Sequence, residues 1–353
     1  MNKIEELKKQ IEEKELEYHT VYAQQYALKI FMNAFYGVFS NTFFRYFDIR
    51  LAAAVTCQGQ VCVRGPAQLI EEKCPYVDVA YSDTDSLFIG FLSILEKRFG
   101  EYATSEQKRE FIQKFFYKIL DPIIKGYYET MTDSLNAYKN TFEMGFEAIS
   151  DKTIFTSKKK YMMNLVHDDG YDVDLTGDTP LKTKGVEIVR TSTPRAVRDF
   201  LKEMVKIIFK TNNNDECLEF LDKFRRKFNK MEFHEIAFPR GINGLSKYGI
   251  SSKGVPIHVR AAHVYNDAIK HMKLINYAPI QEGEKIKFAY IKTPNYFGHN
   301  IIACSNKMPL EILEKLEIDY ELQFEKAVLS PVQLIFDVLK WETEEVASLA
   351  DFF

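Results

Sequence analysis

The sequence is short of several things, and each shortage closes off a class. It has one tryptophan and only five cysteines in 353 residues. Cys57, Cys62, Cys74, Cys217 and Cys304 make an odd count with no Cys-x-x-Cys pair, so neither a disulfide framework nor a zinc site is suggested. They read as reduced, mostly buried thiols. No apolar run approaches the roughly 20 residues of a membrane span. The charged start Met1-Asn2-Lys3-Ile4-Glu5-Glu6 lacks the apolar stretch of a signal peptide. These features lead us to expect an intracellular protein with no membrane partner. The 16 Gly and 11 Pro fall in no repeat, which excludes low-complexity and solenoid classes.

What is present is the composition of a folded protein of about two domains, 46% hydrophobic and 27% charged, with 28 Phe and 20 Tyr available for cores or stacking surfaces. The formal charge of −3 is unevenly spread. Residues 311–353 carry 11 acidic and 3 basic side chains, a net −8, which leaves +5 for residues 1–310. A nucleic-acid partner is therefore allowed for the main body.

From Lys3 to about Val38 there is no Pro, and no Gly before Gly37, while Ile4, Leu7, Ile11, Tyr18, Val21, Leu28 and Met32 follow a heptad-like spacing. This predicts one helix of roughly 50 Å with a narrow seam suited to an antiparallel partner helix. Residues 76–91 alternate apolar positions on both sides of Ser82-Asp83-Thr84-Asp85-Ser86, the pattern of a hairpin with a polar tip. Helical patterns follow at about 105–138, short strands through 142–190, and helices at about 193–210 and 215–229. A Gly-rich loop at 239–256, a helix at 258–276, strands at 285–304 and helix again at 309–341 complete the expectation.

Two clusters suggest chemistry. Lys29, Asn33 and Tyr36 stand at i, i+4 and i+7, one stripe of the helix, immediately before Gly37. A cation, an amide and a phenol beside a glycine suit a triphosphate and a base pair; a solvated Lys and Asn next to a core Tyr is the competing reading. At the hairpin tip, Asp83 and Asp85 present hard oxygen donors suited to Mg²⁺, although Asp-rich turns are also ordinary hairpin chemistry.

Taken together, these segments resemble a known family. Lys29-Ile-Phe-Met-Asn33-Ala-Phe-Tyr36-Gly37 is similar to the fingers motif of B-family DNA polymerases, and Tyr81-Ser-Asp83-Thr-Asp85-Ser86 to their palm signature. Lys158-Lys159-Lys160-Tyr161 resembles the Lys-Lys-x-Tyr motif that holds the primer-template minor groove, and Glu147 lies where the family has another palm carboxylate. Leu181-Lys-x-x-Gly185, Ser192-Thr193-Pro194-x-Ala196-Val197 and His258-Val-Arg260 direct the likeness toward the T-even-type bacteriophage branch, and Ala347 to Phe353 resembles its clamp-docking tail.

The resemblance implies an α+β fold: one fingers helix (1–41), the C-terminal part of an antiparallel palm (42–189), and a largely helical thumb (190–353) ending in a clamp-binding tail at about 347–353. It implies that Asp85, with Asp83 and Glu147, holds two Mg²⁺ ions and that Asp85 and Asp83 are catalytic. Lys29, Asn33, Tyr36 and Gly37 would bind the deoxynucleoside triphosphate, and Lys158, Lys159 and Tyr161 the primer-template DNA. Leu349, Phe352 and Phe353 would dock on a sliding clamp.

Arg195 and Arg198, in the first turn of a helix where cations oppose the macrodipole, are either phosphate contacts or tolerated surface charge. Lys247 and Lys253 in the Gly-rich loop carry the same two readings. The family's other palm aspartate, in Asp-x-x-Ser-Leu-Tyr-Pro, has no counterpart here, and Thr132-Asp133-Ser134-Leu135 is only a partial look-alike. Because the chain opens at a Met and runs straight into the second fingers helix, we expect a split polymerase completed by a complementary N-terminal chain, in the cytoplasm of an infected bacterium. A truncated enzyme is the alternative explanation, and a silent DNA- and clamp-binding scaffold the alternative function.

Overall fold

The computed structural model describes residues 3–100, 103–168, 171–173, 180–250 and 252–343. The chain divides into two compact units, Met1–Phe146 and Glu147–Phe353. Every strand pairing among the described residues is antiparallel, and helices dominate, so the fold is α+β.

The first unit opens with α1 (Lys3–Val38), none of whose residues is buried. Ile4, Leu7 and Ile11 stand about half exposed. Toward its C-terminal end Leu28, Ile30, Phe31, Met32 and Phe35 are also exposed, so the apolar surface there is wider than one narrow seam and leaves Lys29 and Asn33 on the remaining face. A turn-rich segment leads to α2 (Ile49–Lys73), capped by Asp48, whose carboxylate accepts from the Arg50 amide at 2.9 Å. The Arg50 side chain on Asp48 holds that carboxyl down to about 2.

The unit's core lies between α2 and α5 (Asp121–Ser134). Cys62, Ile70, Leu120, Ile124, Tyr128 and Met131 are buried there. Gly65 is the tight point: a Cβ on it would fall 2.0 Å from the Tyr127 ring. Strands β1 (Asp78–Asp83) and β2 (Ser86–Gly90) lay Val79, Leu87 and Ile89 against this core. Two shorter helices, α3 (Leu92–Phe99) and α4 (Ser105–Phe115), follow, the second closed by a capping box between Thr104 and Gln107. A π-helical turn, Phe116–Leu120, joins α4 to α5 just before Pro122. Proline has no N–H to complete the α ladder, and the ladder loosens where one is missing.

In the second unit β3 (Ala148–Ser157), β4 (Lys160–Asp168), β5 (Tyr171–Asp172) and β6 (Leu181–Lys184) form one sheet, in which β4 is flanked by β3 and β6. Helices α6 (Arg195–Thr211) and α7 (Asn214–Phe228) bury Phe200, Met204, Val205, Ile208, Leu221 and Phe228 in a core shared with β4. A turn, α8 (Phe233–Ile236), leads to a second sheet of β7 (Phe238–Gly241), β8 (Lys285–Tyr290) and β9 (Ile301–Cys304), packed on α9 (Ile257–His271).

The C-terminal stretch departs from the expected continuous helix. It is α10 (Leu310–Leu313), α11 (Tyr320–Phe324), a second π turn before Pro331, and α12 (Ser330–Leu339). An Ile291–Ile318 bridge extends the sheet between the first two pieces, and the Asp319 carboxylate caps α11 through the Leu322 amide. The division at 146/147 falls inside the expected palm segment, 42–189.

Candidate functional site

The hairpin tip is built by short-range forces. Asp83 pairs with Ser86, and Thr84-Asp85 make the two-residue turn between β1 and β2. The Asp85 amide donates to the Asp83 carbonyl at 2.6 Å, the Ser86 hydroxyl to the same oxygen at 3.1 Å, and the Thr84 hydroxyl to the Asp83 carboxylate at 3.1 Å. Thr84 has φ 55°, a left-handed conformation that a β-branched residue takes only at a cost of about 1–3 kcal/mol. Strand alternation turns Asp83 toward the same half-buried face as Val79 and Tyr81, while Asp85 is exposed. Its carboxylate makes no hydrogen bond or ion pair among the described residues. The two aspartates thus differ: one is braced, the other open to a ligand. Behind them the Tyr81 and Phe88 rings pack at a tilt, centroids 5.5 Å apart, rooting the tip on rigid strand.

On α1, Lys29, Asn33 and Tyr36 share one exposed stripe, and an atom placed at the Gly37 Cβ position would meet nothing within 4 Å. Neither the Lys29 ammonium nor the Asn33 amide has a side-chain partner among the described residues. No His, Cys, Asp or Glu group of three or more is gathered as a metal site among the described residues.

The remaining predicted residues lie in the second unit. Glu147 is its first residue and accepts from the Lys182 ammonium at 2.7 Å, an ion pair that Lys182 shares with Asp168 at 3.0 Å. Lys158 and Lys159 form the two-residue turn joining β3 to β4 and are exposed; Tyr161, two residues on, is buried with its ring 5.9 Å from Phe155. Arg195 lies 3.8 Å from Asp199 at the surface. Arg198 is different, because its Nε is buried without a hydrogen-bond partner.

Sequence reasoning missed a twin of this residue. Arg260 also stands four residues after the proline that caps its helix, and its Nε is equally buried and unpartnered. The repeated Pro-x-x-x-Arg spacing, Pro194 to Arg198 and Pro256 to Arg260, was the available signal. Neither helix has an acidic residue in its first turn, so both ends offer unopposed amides and a guanidinium to an anion. Nearby, burial and then the charge of Arg240 push the His258 imidazole below its ordinary value.

The loop holding Lys247 and Lys253 is folded by Glu282, whose carboxylate accepts from the Gly244 and Leu245 amides at 2.5 and 2.6 Å. These amide bonds hold the Glu282 carboxyl below its ordinary value. The carbonyl of Tyr248 lies 2.7 Å from His263 Nε2, and Lys247 covers the Tyr248 ring at 5.4 Å. Leu349, Phe352 and Phe353 lie outside the described residues.

The sequence profile of DNA polymerase family B matches residues 1–119 and 125–339. The chain belongs to DNA polymerase family B. It is 28% identical over 350 residues to the DNA-directed DNA polymerase of Enterobacteria phage T4, covering 92% of this chain and 38% of that protein. The corresponding enzyme of Escherichia phage RB69 matches at 28% over 351 residues, with the same shares. DNA polymerase II of Escherichia coli strain K12 is 30% identical over 243 residues, 68% of this chain and 28% of that protein. This B-family chain therefore spans under two-fifths of the length of the phage relatives it matches. No helix among its described residues is long and apolar enough to cross a membrane.

Proposed function

We propose that this chain supplies the nucleotide-gripping helix, one half of the catalytic metal pocket and the duplex-binding surface of a DNA-directed DNA polymerase, which adds deoxynucleotides to a primer. The observation that carries the reading is the hairpin tip, where a strained Thr84 presents an unengaged Asp85 carboxylate beside a braced Asp83. Strain kept at this exposed turn, within a family of nucleotidyl-transfer enzymes, fits a catalytic position.

The donor set suits Mg²⁺, since both side chains are hard oxygen ligands. Asp85 would ligate directly and Asp83 would support it. When bound, two such ions would neutralise the triphosphate and make the primer hydroxyl more acidic. Lys29 pairs with the incoming triphosphate, Asn33 donates to it, and Tyr36 with the bare Gly37 backbone lines the nascent base pair. Lys158, Lys159 and Tyr161 hold the primer end, while Arg195, Arg198, Arg260, Lys247 and Lys253 track backbone phosphates. Glu147 remains the weakest metal candidate, because Lys182 already neutralises it.

Two carboxylates on one tip do not complete a two-ion pocket. We place the missing carboxylate, and a helix covering the exposed Ile4-Leu7-Ile11 seam, on a complementary polypeptide, so that 1–41 acts as fingers, 42–189 as palm and 190–353 as thumb. The Leu349, Phe352 and Phe353 tail docks a sliding clamp, and the assembly works in the cytoplasm of an infected bacterium. Mixing the chain with the complementary polypeptide should give Mg²⁺-dependent primer extension, and Asp85→Asn should remove it by a factor of about 10³ or more. Near-normal synthesis by that variant would refute the metal assignment and favour a DNA-binding scaffold.

A further inference from the structure

The turn that carries Lys158 and Lys159 is held from outside its own hairpin. Lys159 adopts φ 65°, a conformation a lysine keeps only where its surroundings impose it. Strand β6 pairs with the start of β4, Lys184 opposite Tyr161, so the chain leaving β6 passes directly over the turn. The next residue is Gly185, at φ 71°. A Cβ on Gly185 would lie 2.1 Å from the Lys159 carbonyl oxygen and 3.3 Å from Lys160 Cγ, and the closer of these is backbone that cannot swing aside. Only glycine satisfies both the left-handed backbone and this approach.

From Gly185 a connected set of polar contacts runs to the next helix. The Gly185 carbonyl accepts from Arg190 Nε at 3.2 Å, and Arg190 pairs with Glu187 at 3.3 Å. The other Glu187 oxygen accepts from the Thr193 hydroxyl, also at 3.3 Å. Thr193 is buried and immediately precedes Pro194, the cap of α6, whose first turn bears Arg195 and Arg198.

We propose that Gly185, Glu187, Arg190 and Thr193 form a brace that fixes the Lys158-Lys159 turn relative to the first turn of α6, so that the two groups meet the phosphates of one duplex as a single preset unit. They are positioning residues, touching no DNA themselves. The inference rests on the reading of Lys159 and Arg198 as DNA contacts, and without the brace each group would have to be ordered on binding, at a cost in affinity.

The test is duplex binding by the full chain, measured by fluorescence anisotropy on a primer-template across a salt series, together with hydrogen exchange at residues 158–161. Gly185→Ala should weaken binding about tenfold, lower the slope of log affinity against log salt by about one contact and speed exchange at the turn. Added to Lys159→Ala, it should cost no more than about a further twofold, because the group it positions is already gone. Full additivity, or a folded Gly185→Ala protein with unchanged affinity and exchange, would overturn the proposal. Should that variant not fold, the charge-neutral Thr193→Val breaks the same path, and unchanged affinity and turn exchange there would likewise overturn it. If Lys159→Ala and Arg198→Ala bind duplex normally, the DNA-contact reading fails and with it the use assigned to the brace. Unchanged exchange in Gly185→Ala is the separate sign that the mechanical coupling itself is absent.

Discussion

Replacing Gly65 by alanine tests the platform under the Asp83-Asp85 hairpin, and two opposed effects make its sign informative. Gly65 sits inside α2, where Gly→Ala ordinarily gains about 0.5–1 kcal/mol. Here the new methyl would lie 2.0 Å from Tyr127 Cζ and Oη and 2.4 Å from Cε2. The ring must swing away, breaking the bond from the Tyr127 hydroxyl to the Val61 carbonyl at 3.3 Å. That loss is about 1 kcal/mol and the overpacking about 1–3 kcal/mol, so packing should prevail by about 1–3.5 kcal/mol. The thermal unfolding midpoint of the first unit, followed by circular dichroism, should then fall by roughly 2–14 °C. In a Tyr127→Ala background the clash is gone, and the same Gly65→Ala change should raise the midpoint. A raised midpoint in the wild-type background, or a further fall in the Tyr127→Ala background, would show that the ring does not constrain α2 as described.

Arg198→Ala and Arg260→Ala should each weaken primer-template binding and lower the salt slope by about one unit, an equal effect that an anisotropy titration would check. His258 is held below its ordinary value, so the neutral form is favoured in the fold. Its contribution to stability is present above the unfolded pKa and is lost as pH falls through the lower folded value. Melting curves between pH 7 and 5 should show that loss, and His258→Gln should flatten it. Asn213 caps α7 through the Asp215 amide at 2.9 Å, and Asn213→Ala should cost the second unit about 1 kcal/mol in urea unfolding.

The elements legible in the sequence were those whose signals are local. The proline-free run to Val38 gave α1 its length, and alternation around Ser82 to Ser86 gave the hairpin and its tip. Helix α2 was not legible: no element was expected over 49–73, where Gly59, Gly65 and Pro66 stand, yet Pro66 is tolerated and Gly65 is required by a ring 62 positions away. The C-terminal helix was read as continuous because the apolar period continues, whereas its breaks come from the Ile291–Ile318 bridge and from Pro331. Asp83 and Asp85 could be named from their spacing. The resemblance ranked Asp85 ahead of Asp83, but the physical difference between them was not legible, since it depends on Asp83 ending β1 on its half-buried face, on Asp85 lying in the turn, and on the Thr84 hydroxyl. The brace was invisible for the same reason, because Gly185 and Lys159 meet only through the pairing of β4 with β6.

The most direct measurement is a structure of this chain bound to its complementary polypeptide, primer-template DNA, an incoming nucleotide and Mg²⁺. The account predicts the Asp85 carboxylate on an ion that also touches the triphosphate, with Lys29 against the same phosphates. A hairpin tip turned away from the nucleotide, with the ion held by other side chains, would contradict it.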